Sequence, residues 1–243
     1  MQSVAEPATT ATRRPTAAEF YAANRGGGLY SEAISQRIGA VVAVIADRLG
    51  IAPTILTLIN LVLGLAASAL VVVFAPRMAA GEVPAWLIGL IAFVAWQLAY
   101  AIDCADGQLA RVTKQSSDAG ARVDVLADVA VQIALVVALA STAMAYQPDT
   151  PVWLVTLFAG TWMVNLVTSV MHSSGKGQSM VTSSSLPVRI VKLVRDYGAV
   201  VAGCGLVLAF LPQLMVWLVG AVTVVNGLFL LASVAFAARS ALR

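Results

Sequence analysis

The sequence predicts an all-α integral membrane protein, a bundle of six transmembrane helices with an amphipathic interfacial helix at its N-terminal side. Three observations predict it. Of the 243 residues, 60% are hydrophobic, and the mean hydropathy is +0.87. Only 11% are charged, where a soluble domain of this size carries about 25%, so the charges cannot cover a water-facing surface. Apolar runs recur along the chain at close to the ~20 residues that a helical span requires.

The elements follow in order. Residues 1–30 carry Arg13, Arg14, Pro15 and the Gly26–Gly28 run without the apolar stretch of a secretory signal, and read as a flexible cytoplasmic tail. Residues 31–49 place Ile34, Ile38, Val41, Ile45 and Leu49 at three- and four-residue spacing, with Glu32, Arg37, Asp47 and Arg48 as polar members. That pattern fits a helix along the membrane surface or one packed on the bundle. Apolar runs then occupy 53–75, 85–102, 124–146, 152–172, 198–212 and 214–236. The fifth, with Gly198, Gly203 and Gly205, is the weakest of the six. Residues 31–243 thus form one membrane domain.

Basic residues set the expected orientation. Arg13, Arg14, Arg25, Arg37 and Arg48 precede the first run, and Arg111, Lys114 and Arg122 lie between the second and third. Lys176, Arg189, Lys192 and Arg195 lie between the fourth and fifth, and Arg239 and Arg243 close the chain. The alternate loops hold Arg77 alone. The positive-inside rule then puts both termini and both basic loops in the cytoplasm, with the protein multi-pass in the plasma membrane. A net charge of +3 confined to such loops argues against nucleic acid as a partner. Cys104 and Cys204 read as free thiols, one inside a charged segment and the other inside an apolar run.

The acidic residues are concentrated. Five of the twelve fall between Asp103 and Asp128, beside or inside apolar runs, where ionisable groups are costly and mark functional sites. Asp103 and Asp106 share a face at the end of one helix, and Asp124 and Asp128 share a face at the start of the next. A short turn between antiparallel helices brings the pairs together. Four carboxylates in so small a volume raise one another's pKa unless cations neutralise them, and hard oxygen ligands point to Mg²⁺ or Mn²⁺. Gly107 allows close approach to backbone, Arg111 offers a planar fork for phosphate oxygens, and Gly120 opens the following helix. The set suits a metal-bound diphosphate. Interhelical salt bridging is a poor alternative, since Arg111 and Arg122 are too few for five acids. An aspartate-rich prenyl diphosphate site lacks its tighter D-D-x-x-D run here.

The segment Asp103-Cys-Ala-Asp106-Gly107-Gln-Leu-Ala110-Arg111, eight residues, Gly120, then Asp124 and Asp128 resembles the signature of the CDP-alcohol phosphotransferases at every fixed position. Pro53-Thr54-Ile-Leu-Thr57 is similar to that family's approach to its first span, with Thr54 where Asn or Asp is commoner. The resemblance implies a six-helix, homodimeric enzyme that moves a substituted phosphate from a CDP-linked donor such as CDP-diacylglycerol to an alcohol, releasing CMP. It implies two metal ions, with Asp103 and Asp124 bridging, Asp106 completing one site and Asp128 the other. It makes Asp128 the general base, and puts Gly107, Arg111, Ser117, Gly120, Thr54 and Thr57 around the CDP group. Ser117 is equally readable as a helix N-cap.

The acceptor leaves a weaker trace. Arg189, Lys192 and Arg195 recur every three residues and, with Lys176 and His172, form a candidate site for the phosphate of a phosphorylated alcohol. Topological charge facing anionic lipid is the alternative. Asn165 in the fourth run reads as a polar contact between helices. A different class of function, a cation transporter or channel using the carboxylates as an ion path, fits less well because such sites sit near the midplane at broken helices.

Overall fold

The computed structural model describes residues 13–24, 26–174, 193 and 196–242, and every regular element among them is helical. The expected flexible tail departs from expectation over its described part. Helix α1 (Ala17–Ala22) starts in a capping box, in which Glu19 N–H donates to Thr16 Oγ1 while Thr16 N–H donates to Glu19 Oε2 at 2.6 Å. These Thr16 bonds, the backbone one foremost, hold the exposed Glu19 carboxylate below its usual pKa. Phe20 anchors the helix. It is wholly buried in a cluster with Ala40, Ala43, Leu56, Ile102, Ala105 and Leu109, a burial whose removal in other cores costs about 3–5 kcal/mol. A single aromatic with a good cap thus orders a segment whose composition reads as loop.

A π-helical turn (Ser31–Ser35) runs into α2 (Gln36–Leu49), which stops at Gly50 in the left-handed conformation with φ 67°. The buried face of α2 is made of Gly39, Ala40, Ala43 and Ala46. It lies so close to the second long helix that a Cβ on Gly39 would come 2.8 Å from the Ala101 carbonyl oxygen. The large apolar residues point the other way. Ile34, Ile38, Val41, Ile45 and Leu49 stay 41–69% exposed, so the helix is both packed on the bundle and apolar on its outer side.

The long helices are α3 (Pro53–Ala79), α4 (Ala85–Val112), α5 (Asp118–Tyr146), α6 (Val152–Ser174) and α8 (Met215–Ala241), with the shorter α7 (Tyr197–Phe210) before a 3-10 turn at Pro212–Leu214. Helices α3, α4, α5 and the stretch Pro212–Arg239 are long and apolar enough to cross a membrane. The apolar stretches Val152–Val164 and Tyr197–Phe210 are shorter. The 14 residues of α7 span about 21 Å, less than a ~30 Å hydrocarbon core.

Helix α3 is the centre of the fold. It packs along both α4 and α5, and α4 also packs against α2 and α7. Its buried positions Thr57, Asn60, Gly64, Ala67, Ser68, Val71 and Ala75 recur every three or four residues and are mostly small, which is how apolar helices approach closely when water gives no driving force. A Cβ on Gly64 would overlap Val131 of α5, and Trp96 of α4 donates to Ser68 at 3.0 Å. Glycines in α4 and α7 do the same work. A Cβ on Gly89 would fall on the backbone of Ala209, and Gly205 faces Phe93. Gly203 has open space beside it.

At the start of α7 the buried Asp196 accepts from the Ser31 N–H at 2.9 Å and from the Ser31 hydroxyl. Ser31 Oγ also bonds Tyr100 of α4 at 3.0 Å. This ties the chain before α2 to α4 and α7 together.

These contacts separate two glycines of one helix pair. Gly89→Ala forces α4 and α7 apart and lowers stability by about 1–3 kcal/mol, whereas Gly203→Ala is neutral or stabilising by up to ~1 kcal/mol through helix propensity. Thermal unfolding of both variants in detergent measures the difference, and equal midpoints would refute the close approach of α4 and α7.

Candidate active site

The aspartates are brought together by a tight turn. Helix α4 ends in a Schellman arrangement, with Gln115 N–H donating to Ala110 O at 2.9 Å and Lys114 left-handed at φ 57°. Glycine is the unstrained residue at such a position, and a side chain there costs about 1–2 kcal/mol. Ser117 then caps α5, its Oγ accepting from Gly120 N–H at 3.0 Å. Residues 113–117 thus join the two helices in five residues, and Asp124 of α5 comes near Asp103 and Asp106 of α4.

One oxygen from each of Asp103, Asp106 and Asp124 lies within 4.8 Å of the other two. Oxygens in neighbouring positions on one octahedral Mg²⁺ at about 2.1 Å are ~3.0 Å apart, so these carboxylates could hold a small hard cation once they draw together by about 1–2 Å. Asp128 joins from α5, lining a small space together with Asp103. The group draws on two helices, as the spacing predicts. What the spacing does not reveal is the part of α3. Thr57 Oγ1 donates to Asp106 Oδ2 at 2.6 Å, and Asn60 Nδ2 donates to Asp103 Oδ1 at 3.2 Å. Asn60 was not among the residues expected at the site. A polar residue in an apolar run, one turn after Thr57, was its only signal.

The carboxylates face two spaces. On one side is a cleft of about 250 Å³, lined by Asp106 and Asp124 together with Thr54, Thr57, Gly107, Arg111, Ser117 and Gly120. All six residues expected around the CDP group thus share one wall with two of the aspartates. On the other side Asp103 and Asp128 meet Asn60, Trp96, Tyr100 and Tyr197 around a space of about 10 Å³, close to the volume that admits one water. Tyr100 and Tyr197 stack edge-on there, with centroids 4.9 Å apart.

The space beside two glycines of the cleft is taken up differently. A Cβ on Gly107 would stand 2.9 Å from Nη1 and 3.2 Å from Nη2 of Arg111, so this glycine makes room for the guanidinium one turn further along. A Cβ on Gly120 would stand 3.1 Å from Ser117 Oγ and 3.9 Å from Thr54 Oγ1, inside the cleft. Ser117 is both the N-cap and a cleft residue, so its two readings are compatible. Lys176, Arg189 and Lys192, with Arg195, lie outside the described residues, as do the side chains of His172 and Asn165.

The arrangement can hold a divalent cation and a diphosphate side by side, with an arginine over the anion. A family model described as CDP-alcohol phosphatidyltransferase matches residues 50–238, which include the whole cluster and its cleft. A search of curated proteins finds no match.

The Thr57 hydroxyl is the test of how α3 supports the acids. Thr57→Val keeps the shape but leaves the buried Asp106 oxygen without its donor, at a cost of about 1–3 kcal/mol. Unfolding in the presence of EDTA reads that loss directly, and a variant as stable as the parent would show that Asp106 does not rely on this bond.

Proposed function

Because the chain belongs to the CDP-alcohol phosphatidyltransferase family, whose members transfer a substituted phosphate from a CDP-alcohol, we propose that it moves a phosphatidyl group from CDP-diacylglycerol to a small alcohol or phosphorylated alcohol, releasing CMP. The supporting observation is the single cleft that joins Thr54, Thr57, Gly107, Arg111, Ser117 and Gly120 to Asp106 and Asp124. A diphosphate lying there has the Arg111 fork on one side and the acidic cluster on the other. An ion path would not need a guanidinium at its mouth, so transport is the poorer reading.

Asp103 and Asp124 would bridge two Mg²⁺ or Mn²⁺ ions, with Asp106 completing one site and Asp128 the other. Bound there, the cations supply neutralisation of the diphosphate and of the departing CMP phosphate. Arg111 binds and orients the donor phosphates, and Thr54, Thr57, Ser117 and Gly120 form the nucleotide side of the cleft. The acceptor oxygen attacks the phosphorus that carries the lipid, the P–O bond to CMP breaks, and the hydroxyl proton passes to Asp128. Thr57 and Asn60 hold Asp106 and Asp103 by donating to them, which keeps the two carboxylates aimed while Asp128 exchanges its proton.

The membrane reading extends in the same way. The proposed domain is 31–243, with α6 and α7 completing six spans beside the four long apolar helices. Both termini and the active site face the cytoplasm at the plasma membrane, and the enzyme is a homodimer. The outward apolar side of α2 would lie at the lipid boundary. Lys176, Arg189, Lys192 and Arg195 would read a phosphate on the acceptor.

With CDP-diacylglycerol and a panel of inositol phosphate, glycerol phosphate, serine and inositol, purified protein should form CMP and one new lipid. EDTA should abolish this and Mg²⁺ restore it, and Asp103→Asn or Asp124→Asn should be inactive while folded. Asp128→Asn should lose kcat and keep donor binding. Turnover by either of the first two variants would sink the metal reading, and a fully active Asp128→Asn would remove that residue as base.

Acceptor recognition has its own test. Arg195→Ala should raise the acceptor KM about thirtyfold, on the order of 2 kcal/mol for a lost charged hydrogen bond, with the donor KM unchanged. Unaltered acceptor kinetics would return the basic loop to topological charge.

A further inference from the structure

The family match begins at residue 50, yet part of the chain before it reaches the site. Arg111 Nε donates to the backbone carbonyl of Ala23, the residue that closes α1, at 2.8 Å. The same guanidinium lies over Gly107 and lines the cleft. One turn earlier on α4, the fully buried Gln108 donates from Nε2 to Asn24 Oδ1 at 3.0 Å and to the Gln36 carbonyl at 3.0 Å. Asn24 is itself fixed, donating from Nδ2 to the Tyr21 carbonyl at 2.8 Å.

These contacts are not loose surface bonds. Phe20 is buried without exposure between α2, α3 and α4, so Ala23 and Asn24 follow directly from a fixed point. The segment is pinned further along as well. Tyr21 Oη donates to the Glu32 carbonyl at 3.2 Å, the Arg37 guanidinium lies 5.8 Å from the centre of the Tyr21 ring, and Gln36 Nε2 donates to the Gly26 carbonyl at 2.9 Å. At its far end Ser31 is held by the buried Asp196.

An arginine on a helix surface has many rotamers, and holding it in one before the ligand arrives lowers the entropic cost of binding. Nε is the part of the guanidinium that the Ala23 carbonyl takes, and the two terminal nitrogens over Gly107 are the fork that suits phosphate oxygens.

We propose that residues 16–24 form a brace for the donor site, in which the Ala23 carbonyl holds Arg111 and the Asn24 side chain, bonded to Gln108 one turn earlier on α4, keeps that carbonyl in place, which sets the affinity for the diphosphate of a CDP-linked donor. This rests on the donor role given to Arg111 above. Ala23 and Asn24 are positioning residues, and the brace acts on binding of the nucleoside diphosphate rather than on proton transfer at Asp128.

The test is the binding of CDP with Mg²⁺ to the full-length protein in detergent, followed by titration calorimetry. Asn24→Ala and Phe20→Ser should each raise the Kd about tenfold. Arg111→Lys, which lacks the planar fork and Nε, should raise it by at least as much. The informative measurement is the double variant. Adding Asn24→Ala to Arg111→Lys should change the Kd little further, because the brace acts on donor binding only through the Arg111 guanidinium. Phe20→Ser opens a core and can fail to fold, so Asn24→Ala carries the comparison by itself. An unchanged Kd in Asn24→Ala, or the same factor from Asn24→Ala with and without Arg111→Lys, overturns the brace and leaves the donor role of Arg111 standing. An unchanged Kd in Arg111→Lys alone sinks that donor role, and the brace with it.

Discussion

Carboxyl groups inside an apolar bundle need hydrogen-bond donors on a rigid neighbour, and here that neighbour is α3. Helices α4 and α5 carry all four aspartates but make their extensive packing with α3 rather than with each other. Thr57 and Asn60 donate from α3 into Asp106 and Asp103, and Gly64 lets Val131 of α5 come against the α3 backbone. If α3 were displaced, the acids of α4 would lose their donors and α5 would lose its register against them at once. The same separation of α4 from α5 leaves an open cleft between the end of α4 and the start of α5, bordered by α3 through Pro53, Thr54 and Thr57.

The turn between α4 and α5 works under a second constraint. It must reverse the chain in few residues while keeping the ends of both helices hydrogen-bonded. Lys114 takes the left-handed position, and Ser117 caps the next helix while forming part of the cleft. The helix cap thus sits on the wall of the site, and the strained residue lies next to Gln115 of that wall, which agrees with the tendency of strained backbone to gather near functional positions. Small residues provide the complementary device. Gly39, Gly64, Gly89 and Gly205 each stand where a side chain would strike a neighbouring helix, so the bundle is closed by backbone approach rather than by large interdigitating side chains.

Much of the site was legible because its logic is local. Asp103 and Asp106, and likewise Asp124 and Asp128, are one helical turn apart, and helical geometry alone puts each pair on one face. Gly107 and Arg111 follow the same rule, and the space beside the glycine is taken by the arginine. Asn60, Gln108, Tyr100 and Asp196 were not legible. Each owes its place to a partner 43 to 165 residues away, and a lone polar residue in an apolar run looks the same whether it joins two helices or serves a site. The N-terminal segment escaped for a related reason. Six helical residues between loops leave no periodic pattern, and the burial of Phe20 depends on three helices that follow it.

By itself the sequence determined the membrane class, the helical periodicity, the positions of the long apolar runs and the chemistry of the acidic segment. These depend on composition and on spacings within a turn or two, which the chain carries wherever it folds. The tertiary structure alone decided that α3 supports the aspartates and that six scattered residues form one cleft. It also decided that α2 turns its small residues inward and its large ones outward, and that the segment before α2 reaches Arg111. The physical reason is that these are contacts between helices, fixed by where bulk is missing and where buried donors meet acceptors, and such pairings have no period along the chain.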